Sequence, residues 1–187
     1  MAKNLRILLI LTISFAVCLI MESCCGGYSY RWEYIITETL SDNSLTEADS
    51  INAADFGIRL NLVNQKFALN TFTPFVDNLY AFDCWPSYTK QDTIVAIRII
   101  TINDFNEDFP SDSDVSELFK GSVFHSDCLS LSDLISRINE TDVDAIEHID
   151  LFLKQEPANS SYQRFQITLE LRDERILSGE VREVWLN

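Results

Sequence analysis

A period of two in the apolar residues is the feature that most constrains this chain. Phe165, Ile167, Leu169 and Leu171 alternate with Gln166, Thr168 and Glu170, and Phe56, Ile58, Leu60 and Leu62 alternate with Gly57, Arg59 and Asn61. Successive side chains of a strand point to opposite faces, so each segment is expected to bury one face and solvate the other. Residues 28–37 repeat the pattern with Tyr28, Tyr30, Trp32, Tyr34 and Ile36, residue types that favour strands. The run 93–102, TIVAIRIITI, is apolar and β-branched almost throughout, which marks a strand buried on both faces or central in a sandwich. Ile149, Leu151 and Leu153 begin another strand before the turn at Pro157, and the chain closes with a hairpin around the polar turn 172–175.

Helical signals are confined to the middle. Ser113 or Asp114 is placed to cap a short turn ended by Gly121, and Ser130 precedes Leu131, Leu134, Ile135 and Ile138 at helical spacing. The expected fold is therefore mainly β: an antiparallel β-sandwich of six or seven strands, with an immunoglobulin-like topology as the leading expectation. A short helical insertion near 113–146 interrupts it, and an α+β sheet is the alternative. Twelve Phe, six Tyr and three Trp supply the core of a single domain over residues 28–187.

The first residues are of a different kind. MAKNLR carries two positive charges, and residues 7–21, ILLILTISFAVCLIM, form an uncharged run of 15, short of the ~20 needed to span a bilayer as a helix. Glu22 ends the run, and Ser23 then precedes Cys24. A small residue before a cysteine after such a run resembles the lipobox of bacterial lipoproteins. That resemblance implies a signal peptide over 1–23, a mature start at Cys24 that carries lipid, and a short lipidated terminus over 24–27. Two or more acyl chains anchor a protein stably to a membrane. An uncleaved anchor helix and an ordinary signal cut near Gly26 are the alternatives.

The net charge is −15. Nucleic-acid binding needs clustered Lys and Arg, and adsorption to an anionic membrane needs positive charge, so neither fits. Of the other cysteines, Cys84 and Cys128 both lie among apolar residues, and export would put them where disulfides persist. They are expected either to pair or to be buried free thiols. No CxxC occurs, which leaves thioredoxin-like redox chemistry and zinc knuckles without support.

Three constellations bear on chemistry. The stretch 103–114 gathers Asp104, Glu107, Asp108, Asp112 and Asp114, oxygen ligands of the kind calcium takes, and Asp104, Asp108, Asp112 and Asp114 are the metal candidates. The segment His125-Ser126-Asp127-Cys128 holds the residue types of a hydrolase, but such groups are assembled from distant segments and adjacency is no support. The aromatics Tyr28, Tyr30, Trp32, Trp85 and Trp185 are candidates for a carbohydrate platform or for core packing. No nucleotide-binding or G-x-S-x-G motif is present, and no cofactor is expected.

The lipobox, the acidity and the aromatic first strand resemble lipoproteins of Bacteroides-type bacteria. The resemblance implies a cell-envelope location. Cys25, Gly26 and Gly27, standing where surface-exported members carry acids, imply a periplasmic face. It also implies O-glycosylation at Asp-Ser/Thr-apolar triplets, of which Asp49-Ser50-Ile51 makes Ser50 the acceptor. The function expected is a non-enzymatic binding or structural module, tethered by Cys24, with an envelope protein or a glycan as partner. An envelope hydrolase using His125 or the acidic loop and a calcium-dependent binding module are the alternatives.

Overall fold

The computed structural model describes residues 27–68, 87–123, 128–141, 146–157 and 159–187, together with Thr12. The chain divides into two compact units, one of Met1–Tyr30 with Lys66–Thr89 and one of Arg31–Gln65 with Lys90–Asn187. The smaller unit holds the start of β1 (Gly27–Ser41), the end of β4 (Phe56–Ala68) and most of β5 (Ser87–Lys90). No helix among the described residues is long and apolar enough to cross a membrane.

The larger unit is mainly β, built of antiparallel sheets around one core. With β2 (Ser44–Leu45), β7 (Phe119–Ser122) and β8 (His148–Leu153), the first sheet runs β2-β1-β4-β8-β7. The second contains β6 (Ile94–Thr101), β10 (Phe165–Leu171) and β11 (Ile176–Glu180) in the order β11-β10-β6. The third places β12 (Val184–Leu186) between β3 (Ser50–Ile51) and β9 (Ser161–Gln163), where β12 pairs parallel with β3. Alternation decides which face goes inward. Phe165, Ile167, Leu169 and Leu171 are all buried, and so are Ile58, Leu60, Ile149 and Leu151 across the β4–β8 ladder. Phe165 joins the layers, with ring centroids 5.7 Å from Phe56 of β4 and 5.5 Å from Phe119 of β7.

Two strand expectations change. The run in β6 is half-buried rather than buried on both faces: Ile94, Ile97, Ile99 and Thr101 point inward, Arg98 is exposed and Val95 is 57% exposed. Val95 is the extra residue of a bulge, where Leu171 pairs with Ile94 and Glu170 with Ala96, so one apolar side chain is turned outward. In β1 the expected single face breaks. Tyr30, Trp32 and Ile35 are buried, whereas Tyr34 and Ile36 are exposed, so the inward set changes parity beyond Trp32. Both main-chain groups of Trp32 are bound by side chains, its N–H by Asp92 Oδ2 and its carbonyl by Arg175 Nη1. The ladder is replaced there by side-chain partners.

Among the described residues, the expected helical insertion resolves into a 3₁₀ turn at Ser116–Leu118, strand β7, and one helix, α1 (Leu131–Glu140). Ser130 caps α1, its Oγ accepting from Asp133 N at 3.2 Å, and Leu134 and Ile138 face the core. Lys90 closes the other end, donating from Nζ to the carbonyls of Ile138, Asn139 and Thr141, as suits the negative end of a helix. Asn139 also pairs both ways with the main chain of Ile94, and Val115 N donates to Ile99 O, so the outer edge of β6 is closed.

Gly121 lies inside β7 instead of ending a turn. A Cβ built on it would overlap Leu134 Cδ2 and lie 3.2 Å from Leu151 Cδ2, so only glycine lets α1 approach the strand this closely. Gly121→Ala is therefore expected to cost about 2 kcal/mol in urea unfolding, through overpacking of a filled interior. A cost near zero would show that α1 is free to move off β7.

Candidate functional site

The third sheet carries an exposed aromatic row. Trp185 is in register with Tyr162 of β9 on one side and with Ser50 of β3 on the other, so the three side chains share one face. Their neighbours along the strands, Ile51, Gln163, Val184 and Leu186, are buried on the opposite face. Tyr162 is 54% exposed and packs edge-on against the half-buried Trp185, with ring centroids 4.9 Å apart and planes at 71°.

Hydrogen bonds hold the row in place. Trp185 N donates to Asp49 O at 2.8 Å, and Asn187 N donates to Ile51 O. Asn103 Nδ2 donates to Tyr162 O at 3.1 Å and reaches Glu183 Oε1 at 3.5 Å. The fully buried Gln163 donates from Nε2 to Asp104 O at 3.0 Å and to Ser161 Oγ at 2.8 Å. Aromatic surface is thus rimmed by an amide, a carboxylate and the Ser50 hydroxyl. Rings of this kind pack on the C–H faces of sugars, and the rim groups are of the kinds that bond hydroxyls.

The other platform candidates fall elsewhere. Tyr30 and Trp32 are buried, Tyr28 is 38% exposed in the smaller unit, and Trp85 lies outside the described residues. The partner of Trp185 is instead Tyr162, which is absent from the candidates that the sequence suggests. No local pattern marks it, because β9 is only three residues long.

A second constellation is ionic. The Asp92 carboxylate, 3% exposed, accepts from Trp32 N at 2.5 Å and pairs with Arg175, while Arg31 lies 3.9 Å away. Asp173 binds Arg175 Nε at 2.7 Å and Arg31 Nη2 at 2.5 Å. Burial pushes the Asp92 carboxyl above its ordinary value, against the pull of the Trp32 N–H and Arg175. The hydrogen bond from Arg175 holds the Asp173 carboxyl below the usual range. Asp92 and Asp173 line a cleft of about 220 Å³ with Gln91, Thr93 and Arg172. Arg31 and Arg175 are matched with Asp92 and Asp173, so the cluster ties β1 to the β10–β11 hairpin.

The four metal candidates do not converge. Asp104 Oδ1 accepts from Ser111 N and Asp114 Oδ1 from Ser116 N, both capping turns within the loop. Asp112 sits at φ 63° and Asp108 is exposed. Among the described residues no three His, Cys, Asp or Glu side chains gather to hold a metal ion. Cys128 is a free, exposed thiol rather than a buried one, and no disulfide forms among the described residues. Cys24, Cys84 and His125 lie outside them. Ser50 is exposed at the end of the aromatic row.

A family model described as a domain of unknown function, DUF5034, matches residues 38–180, well over half of the chain. The chain belongs to the DUF5034 family. No curated protein and no solved structure matches it. The DUF5034 match takes in Ser50, Asn103 and Tyr162 of the aromatic site, and Asp92, Asp173 and Arg175 of the ionic cluster. Trp185, Arg31 and Trp32 stand outside the matched DUF5034 residues.

Proposed function

We propose that this DUF5034 protein is a cell-envelope lipoprotein, tethered by lipid at Cys24, whose β-domain binds a glycan on the Tyr162–Trp185 face. The observation that carries the binding half is the row Ser50–Trp185–Tyr162, an aromatic surface with a polar rim on a face turned away from the core. The tether is supported by the basic start, the apolar run and the Ser23-Cys24 junction. Binding here is non-catalytic: the rings position a sugar and the rim bonds its hydroxyls.

Each half has its own test. Intact mass of the protein from membranes of a lipoprotein-competent host is expected to show a diacyl or triacyl terminus at Cys24, absent from Cys24→Ala. An unlipidated mass would end the tether reading. On a glycan array, the protein is expected to retain a defined set of bacterial polysaccharides, with Tyr162→Ala and Trp185→Ala each weakening binding roughly tenfold. Retention unchanged in both variants, or no retention by the wild type, would end the glycan reading.

A further inference from the structure

A groove of about 500 Å³ lies between the β1–β2 hairpin and the end of β11. Its walls include Glu38, Thr39, Leu45, Glu47, Glu180 and Arg182. Among the described residues the only cation of this lining is already engaged, since Arg182 donates to Ala48 O at 2.5 Å and meets Asp49 at 3.4 Å. Arg164 binds Glu180 at 2.6 Å, so Glu38 and Glu47 are the carboxylates of the lining that form no ion pair among the described residues, and they face a groove whose positive charge is spent. They do not gather at one point as a metal site would require. Thr39, only 4% exposed, has a buried hydroxyl oxygen with no hydrogen-bond partner among the described residues. Leu45, 54% exposed, adds an apolar wall.

The strand beside the groove has an open side. Leu171 N donates to Arg175 O and Val181 N to Phe165 O, which marks Leu169–Leu177 and Ile167–Gly179 as the hydrogen-bonded pairs of the β10–β11 ladder. The main-chain groups of Ile176, Ser178 and Glu180 therefore point away from β10. Glu180 agrees, because its carbonyl accepts from Thr37 Oγ1 at 2.6 Å. β11 is an outer strand, and among the described residues Thr37, at Glu180, is the one cap on its edge, so Ser178 is left open. Ile176 is 65% exposed beside it.

We infer that this groove, with the open edge of β11, binds an extended basic peptide segment of a partner protein. Main-chain groups of the segment pair with Ser178 by strand addition, and its Lys or Arg side chains, spaced along the groove, meet Glu38 and Glu47. Charge complementarity fixes the occupant. A second copy of this chain, at net charge −15, would bring carboxylates to carboxylates. The site is separate from the aromatic row, and it stands whether or not that row binds glycan.

The test uses the full chain and a short fluorescein-labelled peptide of alternating lysine and valine, followed by fluorescence anisotropy. Saturable binding is expected, weakened roughly tenfold in the double variant Glu38→Gln/Glu47→Gln. The double variant Glu107→Gln/Asp108→Asn removes the same charge elsewhere and is expected to bind as the wild type does. N-methylation of alternate peptide nitrogens is expected to weaken binding as much as the first pair, since strand addition needs those donors. Equal loss in the two double variants, indifference to N-methylation, or absence of binding would each overturn the inference. So would self-association in place of peptide binding.

Discussion

Phe165→Ala is expected to lower stability by about 4 kcal/mol, the largest single-site loss in the domain. Phe165 is fully buried and meets Phe56, Phe105 and Phe119, which come from β4, the loop after β6, and β7. Removing the ring takes away a contact between sheets and leaves a cavity, because the rigid ladders on either side cannot close over it. Urea unfolding followed by tryptophan fluorescence reads this directly. Phe165→Leu keeps most of the volume and is expected to cost about 1 kcal/mol. A cost below that for the alanine variant would show that the layers do not depend on this ring.

Arg175→Ala is expected to cost about 3 kcal/mol at neutral pH, since it strips a buried carboxylate of its principal cation and leaves the Trp32 carbonyl without its donor. The loss should depend on pH, and its sign follows from both carboxylates. Asp92 is held above its ordinary value, so it contributes stability below the unfolded value that is lost as pH rises through the folded one. Without Arg175 that value rises further and the loss deepens. Asp173 is held below its ordinary value by Arg175, so it contributes stability above the unfolded value, and the variant forfeits this. Both effects make the penalty grow between acid and neutral pH, across the ordinary aspartate value of about 3.9. Urea unfolding near that pH and at neutrality compares the two. A penalty that stays flat with pH would mean that the cluster acts by packing and not by charge.

Much of the local structure was legible because local structure has a period. The inward faces of β4, β8 and β10 follow from alternation, the hairpin from the polar turn 172–175, and α1 from Ser130 and the spacing of Leu134 and Ile138. Short elements were not legible. The two-residue strands β2 and β3 and the three-residue strands β9 and β12 are too brief to show a period, and β7 hid behind a helical pattern that ends, in the sequence, at Gly121. The candidate site suffers most from this. Trp185 stands out as an aromatic, but Tyr162 and Ser50 became its neighbours only through pairings across more than 20 and more than 130 positions of chain.

By itself, then, the sequence determined the mainly β class, the inward faces of β4, β8 and β10, the capped helix and the acidic surface, all of which depend on residues close together in the chain. Only the tertiary structure decided the strand order, the outward turn of Val95, the change of face in β1 and the gathering of Arg31, Asp92, Asp173 and Arg175 around Trp32. The reason is physical. A period of two says which side of a strand is apolar, but the partner of an edge and of a buried charge is chosen by the whole folded chain.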